Sequence, residues 1–493
     1  MKLRPESSSM CGAFLCRVLN FHDVAVRGSL FGEGAKKSGR GVRAPQPGVA
    51  LRGRIPFLAM VFSALFAFTV NAPAISLEAA LARVLEKNPA ILEAKADVEA
   101  AAGRRLVLRA TSLPDLRGIT PAGVQGGKRS GENTVQPFAF ARGSLTQPFF
   151  NAAIPATLRR SNIELLLARQ RLNVAVVEQL HAARVAFYTA TYQDSLRSLG
   201  EAQLQRLQGN VRAQADRYQA GQTELGALNV ARLLEAEAQP RIEDSRRISG
   251  GALLQLATLM GDDLGPKAPL PTAEGALQFV PADLDLDAAT ASALTNRPDL
   301  KLARLMVRAA SEDQRIIEAA YYPSVNAVLS GDYIPVSDIR RGDAGSARRS
   351  DDIVSSELRA GGTYTWRVID NGQTLGAVRR QRAVREINEL VLAQLEANVP
   401  RELTRLQNNL RSLAAREKAL SGAAVVAEQT VSDVFNNMIE GRSSQLEYRT
   451  AETSFLQTKA GLLTVAYEQN LARADLDRVT GRYFQFSPDA PSR

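Results

Sequence analysis

Alternation of apolar and polar residues marks the clearest short elements of the chain. In residues 359–369, small or apolar side chains occupy the even positions, and Arg or Thr occupies most odd positions. Residues 324–333 alternate in the same way, with Val328 as the exception. A period of two over about ten residues predicts transmembrane β-barrel strands, apolar towards lipid and polar towards water. A half-buried strand of a soluble protein alternates in the same way, so both interpretations stay open here.

Two long stretches carry a helical period instead. Residues 156–220 contain no proline, and at about 1.5 Å per residue they predict a helix on the order of 95 Å long. Their counterpart, 373–439, has leucines at three-four spacing, which is typical of coiled-coil packing. These leucines are Leu403, Leu406, Leu410, Leu413 and Leu420. We expect Pro400 to bend the second long helix and Pro240 to interrupt its own helix.

The chain repeats itself. A shift of 209 residues places the Leu-Glu-Ala-Ala that begins at Leu77 on the Leu-Asp-Ala-Ala that begins at Leu286, and Pro89 on Pro298. A later block repeats at an offset of 220, so the second copy has gained roughly ten residues. We expect 335–352 to be the lengthened loop. A period of this kind predicts two copies of one structural unit.

These offsets set the predicted boundaries. We expect a first repeat at 75–261, a proline-rich linker at 262–283, a second repeat at 284–483 and a tail at 484–493. Each copy contains two short helices, a pair of strands and a long helical hairpin. The short helices are expected at Leu77–Lys87, 89–112, Leu286–Asn296 and 298–321, and the weakest strand at 115–125, where Pro121 interrupts the pattern.

Charge and cysteines narrow the class of protein. The formal charge is +10, but residues 1–74 hold 10 Lys and Arg against 3 Asp and Glu, so only +3 remains for the rest of the chain. This distribution argues against nucleic acid as a partner. Arg52 and Arg54 precede an apolar run at 55–70 and a small-x-small site ending at Ala74, which predicts a signal peptide within the leader 1–74. Residues 1–50 exceed a normal signal peptide and suggest a start placed too early.

Few residues suited to catalysis remain after the leader. Both cysteines, Cys11 and Cys16, lie in it, and His181 is the only histidine beyond it. This composition leaves no expectation of a disulfide, a metal site, a cofactor or a His-dependent catalytic triad. We expect His181 to lie on a helix surface. The chain is therefore predicted not to be an enzyme.

Four strands cannot close a barrel around a water-filled channel, and an open edge in lipid leaves backbone groups unsatisfied. A transmembrane interpretation therefore requires several copies, and three copies supply about twelve strands. Aromatic residues near the predicted strand ends suit the two water–lipid interfaces. They are Phe149, Phe150, Tyr321, Tyr322, Tyr333 and Trp366.

Each long hairpin is expected to turn at a glycine that is followed two residues later by a hydroxyl. The first turn has Gly221 and Thr223, and the second has Gly441 and Ser443. Glycine permits the tight reversal, and the hydroxyl is expected to cap the next helix.

Taken in order, these motifs resemble the TolC-like outer-membrane efflux protein family over about 75–483. The matching pieces are the duplicated openings with Asn88-Pro89 and Arg297-Pro298, Gln-Pro-Phe-Phe at 147–150, Val-Ile-Asp-Asn-Gly at 368–372, the aromatic-x-x-Gly tip at 218–221, and Leu-Met-Gly at 259–261.

The resemblance implies a mainly α fold with a small β part. Three chains are expected to form one 12-stranded transmembrane β-barrel, continued by a 12-helix periplasmic α-barrel. The molecule is expected in the outer membrane of a Gram-negative bacterium, as the passive exit duct of a tripartite efflux pump or type I secretion system. Its partners would be outer-membrane lipid, a periplasmic adaptor, and an inner-membrane pump or ABC transporter.

The resemblance also assigns roles to residues. Tyr218, Gly221, Thr223, Gly441 and Ser443 fall at the adaptor-docking hairpin tips. Glu447 falls where acidic residues ring the periplasmic aperture, although Thr450 replaces a second acid often found there. The alternative is a periplasmic coiled-coil adaptor or scaffold, which would share the hairpins but lack strands in both halves.

Overall fold

The computed structural model describes residues 74–129, 132–262, 270–333 and 356–482. The leader up to residue 73, the lengthened loop at 335–352 and the tail at 484–493 lie outside these ranges. The helices are α1 (Leu77–Lys87), α2 (Pro89–Ala110), α3 (Ala153–Gln219), α4 (Leu225–Leu259), α5 (Leu286–Asn296), α6 (Pro298–Glu318), α7 (Gln373–Ile439) and α8 (Gln445–Thr480). The strands are β1 (Ala74–Ile75), β2 (Asp115–Ile119), β3 (Ala122–Arg129), β4 (Glu132–Ala139), β5 (Ala141–Phe150), β6 (Thr272–Ala273), β7 (Ser324–Tyr333) and β8 (Ser356–Thr365).

Local capping explains where the first helices begin and end. The Ser76 hydroxyl accepts a hydrogen bond from the Ala79 amide at 3.3 Å, which satisfies one free donor of α1. Asn88 ends α1 and caps α2, because its side-chain oxygen accepts from the Ala90 and Ile91 amides at 3.0 and 3.2 Å. The predicted bounds of α1, α5 and α7 are confirmed.

Proline interrupts the helices less than predicted, and the bend expected at Pro400, inside α7, stays a prediction. Pro155 lies in the first turn of α3, where a missing amide is tolerated, so α3 begins three residues earlier than expected. The interruption expected at Pro240 is wrong, since α4 runs through it. Ala238 and Ile242 on either side are buried, and this packing holds the helix continuous. Within the described ranges, no helix is both long enough and apolar enough to cross a membrane.

Four strands form one antiparallel sheet in the order β2-β5-β7-β8. β7 therefore joins the strands of the two repeats, with Leu145 opposite Leu329 and Leu329 opposite Ala360. The strand expected at 359–369 lies at 356–365 instead. Its partner β7 begins at Ser324, opposite Thr365, and follows Pro323. Within the described ranges, β7 therefore has no residue left to pair with those beyond Thr365.

The first strand pair is longer than predicted. The chain leaves the sheet at Thr120 and Pro121, as the proline indicated, and resumes as β3, which pairs with β4 in a separate two-stranded sheet. The Phe140 amide donates to the Pro121 carbonyl oxygen at 3.1 Å, where the two sheets meet along the chain.

The two repeats build equivalent apolar cores. In the first, α1, α2, α3 and the end of α4 pack around Leu180 and Leu256. In the second, α5, α6, α7 and α8 pack around Leu300 and Leu413. The segment predicted as a linker also takes part in the fold, because β6 pairs in parallel with β1 beside the first core.

Candidate functional site

The four-stranded sheet has one apolar and one polar face. Residues directly opposite each other in adjacent strands share a face. One row on the apolar face contains Leu116, Leu145, Leu329 and Ala360, and the next contains Gly118, Gly143, Gly331 and Leu358. Leu116 and Leu358 are each 75% exposed, so nothing in the described part of a single chain covers this face.

Charged and hydroxyl side chains occupy most of the opposite face, with Ile119 opposite Arg142 as an exception. Arg142 on β5 binds Asp332 directly across from it on β7, with Nε 2.5 Å from Oδ1. Shorter-range pairs join Arg117 to Asp115 on β2 and Arg359 to Glu357 on β8. Val328 lies among these polar residues, as the sequence pattern indicated. Such a face suits water, and the apolar face suits hydrocarbon.

The predicted interface aromatics lie at the two ends of this sheet. Phe149, Phe150, Tyr322 and Trp366 lie at the end nearest the helices, and all four are about half exposed or more. The Trp366 indole donates to the Tyr321 carbonyl oxygen at 3.3 Å. Tyr333 lies at the far end of β7. The two ends of β7 are about 30 Å apart along the strand. If the strand is tilted by about 40° from the membrane normal, this gives roughly 23 Å of height, close to that of a barrel's apolar band.

A tight turn connects the sheet to α7. The Asp370 carboxylate accepts hydrogen bonds from the Gly372 and Thr374 amides at 3.0 and 2.8 Å. Hydrogen bonds from Thr374 hold the pKa of Asp370 below its ordinary value. Asn371 and Gly372 both adopt positive φ angles, 51° and 85°. The reversal leads directly into the first turn of α7 at Gln373.

Both hairpin tips have the same backbone structure. Gly221 and Gly441 have φ angles of 68° and 78°, a region that glycine enters without a Cβ penalty. The Gln222 amide donates to the Arg217 carbonyl oxygen at 2.8 Å, and the Arg442 amide donates to the Asn437 carbonyl oxygen at 2.7 Å. This Schellman motif closes the carbonyl end of each long helix. Tyr218 beside the first tip is 43% exposed.

The hydroxyls predicted to cap the next helices do not do so. Thr223 precedes the N-cap residue Glu224, and α4 has no side-chain cap. In the second tip the cap is Ser444 rather than Ser443. The Ser444 hydroxyl accepts from the Glu447 amide at 3.2 Å, and the Glu447 carboxylate accepts from the Ser444 amide at 3.0 Å. Geometry explains the correction, because a cap must be the last non-helical residue.

One side chain joins the two tips. Arg217, in the last turn of α3, donates from Nη1 to the Met438 carbonyl oxygen at the end of α7, at 2.9 Å. Met438 is buried, although it occupies the position equivalent to the exposed Tyr218. The positive guanidinium thus lies at the negative ends of two helices from different repeats. Sequence reasoning missed Arg217 because its acceptor is a backbone oxygen 221 residues away.

Behind the tips, an ion pair joins a partly exposed arginine on α3 to a buried carboxylate on α8. Arg206 donates to one oxygen of the buried Glu452 carboxylate from Nε and Nη2, at 3.2 and 2.9 Å. The Arg206 guanidinium also lies 5.0 Å from the centre of the Phe455 ring. Tyr448 is buried beside them, and burial raises the pKa of its phenol. This pair and the surrounding apolar cluster hold the two hairpins together near their tips.

His181 is not the simple surface residue that was expected. It lies on α3 and is half buried against α8, with Nε2 3.4 Å from Asp475 Oδ1. Its Nδ1 is buried. Burial holds the pKa of His181 below its ordinary value, although Asp475 acts in the opposite direction.

A family model described as outer membrane efflux protein matches residues 80–262 and 289–482. The chain belongs to this family. The match covers both repeats, including their strands, so the adaptor alternative is not supported. Proteins of the family are efflux channels rather than enzymes. No functionally curated protein matches the chain.

Solved structures of outer-membrane channels have the same fold. VceC from Vibrio cholerae shares 18% identity with a TM-score of 0.68, covering 82% of this chain and 96% of VceC. CmeC from Campylobacter jejuni shares 13% identity with a TM-score of 0.71, covering 82% and 85%. The open state of MtrE from Neisseria gonorrhoeae shares 17% identity with a TM-score of 0.66, covering 82% and 88%. At these identities the likeness establishes the fold alone and does not assign roles to individual residues.

Proposed function

We propose that three copies of this chain form a passive exit duct through the outer membrane of a Gram-negative bacterium. The two-faced sheet with open edges carries the proposal. In the described ranges, β2 and β8 each have a strand on one side only. If the apolar face lies in lipid, these edges must be paired, because unsatisfied backbone groups cost several kcal/mol each in hydrocarbon.

Pairing β8 of one copy with β2 of the next gives the backbone groups of both open edges hydrogen-bond partners. Three copies then contribute twelve strands, and their polar faces line one water-filled channel. The long helices continue this cylinder into the periplasm as a tunnel of twelve helices. No reaction chemistry is needed, since conduction requires only a polar channel of sufficient width and a controlled end.

Purification tests this assembly directly. The protein is expected to sediment with outer membranes and to run as a trimer in mild detergent. Recovery as a soluble monomer would contradict the proposal.

We assign the hairpin tips to a periplasmic adaptor that connects the duct to an inner-membrane pump or ABC transporter. Gly221, Gly441 and Tyr218 are exposed, and Thr223 and Ser443 lie half buried beside them. The two tips present similar backbone turns from each copy, a repeated surface that suits a partner arranged around the same axis.

Replacement of one glycine tests the docking role. Gly441→Pro cannot adopt the positive φ angle and removes the amide that donates to Met438. The variant is expected to form trimers on native gels but to lose drug export in a susceptibility assay. Gly441→Ala keeps the amide and is expected to give a smaller defect. Normal export by Gly441→Pro would show that the second tip is not part of the adaptor-docking surface.

We assign Glu447 to the periplasmic aperture as an exposed carboxylate that attracts cations. Because its side chain also completes the cap of α8, the test must separate charge from structure. Glu447→Gln retains a side chain that can serve in this cap. In planar bilayers the variant is expected to show lower cation-over-anion selectivity, and unchanged selectivity would contradict the assignment.

A further inference from the structure

A cavity of about 400 Å³ lies between α4 and α8, where both helices pack on α3. It is large enough for a small organic ligand. The cavity therefore lies between the hairpin of the first repeat and the last helix of the second.

Helix packing explains the space. Gly200 on α3 allows Ile242 of α4 to approach closely, since a Cβ at Gly200 would lie 2.9 Å from Ile242 Cγ1. α4 is thus held against α3, and α8 contacts α3 separately. Arg449 on α8 and Glu237 on α4 face each other across the remaining gap at 3.9 Å.

The walls combine a leucine-rich interior with a positive rim. The larger apolar lining residues come from all three helices and are Leu196, Leu199, Leu234, Ile242 and Leu456. Three charged residues also line the cavity, namely Arg241, Arg449 and Glu237. The net charge of this lining is +1. Within the described ranges, Arg241 is exposed and has no carboxylate within ion-pair distance.

We propose that this cavity is a binding site for an anionic amphiphile, a small molecule with an apolar body and one carboxylate or sulfonate. The apolar body fills the space among the leucines. The anionic group binds Arg241 at the rim, with Arg449 beside it, through charge-assisted hydrogen bonds. A bound molecule bridges α4 and α8 and so restrains the two hairpins relative to each other. The site does not depend on the proposed export role, which concerns the sheet and the tips.

Calorimetry with two matched probes tests the site. Decanoate and 1-decanol share a chain length and differ in charge. Each is titrated into the full chain in lipid nanodiscs, with protein-free nanodiscs as the blank. Decanoate is expected to bind saturably at one site per chain. Arg241→Gln is expected to weaken decanoate binding by about tenfold and to leave 1-decanol binding unchanged.

Two further variants sharpen the test. Arg246 lies on α4 outside the cavity and pairs with Glu243 at 2.8 Å, so Arg246→Gln is the matched control and is expected to bind decanoate normally. Thr453→Trp fills the space from the exposed face of α8 and is expected to abolish binding of both probes. Equal decanoate affinity in Arg241→Gln and the unaltered protein would overturn the proposal. So would equal weakening of both probes by Arg241→Gln, or the absence of saturable decanoate binding.

Discussion

At the scale of single residues, Arg217 has the clearest structural role. Its guanidinium donates a hydrogen bond to the Met438 carbonyl oxygen near the end of α7, which also accepts from the Gly441 amide. Hydrogen bonds from charged donors are among the stronger ones, and partial exposure reduces the contribution to about 1 kcal/mol. Arg217 therefore restrains the second tip from the first repeat.

Loss of this side chain is expected to loosen the second tip. In Arg217→Gln, amides of residues 440–444 should exchange with deuterium about fivefold faster, as expected for a loss of about 1 kcal/mol. Arg212, exposed on the same helix without a carboxylate partner in the described residues, supplies the control variant Arg212→Gln. Equal exchange in the two variants would show that Arg217 does not restrain the tip.

His181 makes stability depend on pH. Its pKa is below the ordinary value of 6.5 in the folded protein, so the unfolded chain binds a proton more readily. Its contribution is present above about pH 6.5 and is lost as the pH falls below that value. Asp475 and Arg478 on α8 and Arg184 on α3 are the charged groups that act on it, and they partly oppose each other.

Replacement of His181 is expected to remove this pH-dependent contribution to stability. The melting temperature, followed by circular dichroism, should fall between about pH 7.5 and about pH 5.5 in the unaltered protein. The fall should be smaller in His181→Gln. An identical fall in both proteins would assign the acid sensitivity to other groups.

At the scale of elements, the cap of α8 distinguishes two neighbouring serines. Ser444 binds the Glu447 amide, whereas Ser443 makes no side-chain hydrogen bond within the described residues. Ser444→Ala should cost about 1 kcal/mol locally and speed exchange of the Glu447 amide about fivefold. Ser443→Ala, one residue away, should change it little. The reverse result would restore Ser443 as the cap.

Sequence predicts the existence of these elements better than their ends. The bounds of α1 and α5 follow from Asn88-Pro89 and Arg297-Pro298, because a residue before proline leaves the α region. The end of β8 could not be read from its own alternation, which continues to Val368. It depends on β7, whose first residue follows Pro323. The interruption expected at Pro240 was wrong for a related reason, since the packing of α4 against α3 outweighs the low helix preference of proline.

The same distinction applies to the candidate site. Gly221 and Gly441 were predictable, because a tight reversal needs glycine wherever it occurs. Arg217, Arg206 and Glu452 were not, because their partners are more than two hundred residues away in sequence. Long-range contacts of this kind leave no local pattern of spacing or period.

At the scale of the whole molecule, the central claim is that three copies assemble into one barrel. Within one chain, β2 and β8 lie on opposite edges of the sheet, separated by β5 and β7. Three strand spacings amount to about 14 Å, well beyond the reach of a disulfide. A disulfide between these strands can therefore form only between copies.

Cysteine cross-linking measures this pairing directly. In a background with Cys11 and Cys16 replaced by serine, Gly118→Cys on β2 is combined in turn with Leu358→Cys, Ala360→Cys and Gly362→Cys on the same face of β8. At least one combination should give a covalent trimer on non-reducing gels that reductant converts to monomer. Gly143→Cys on the interior strand β5, in place of Gly118→Cys, should give none. Monomers from all three combinations, or ladders that continue past three chains, would contradict the closed trimeric barrel.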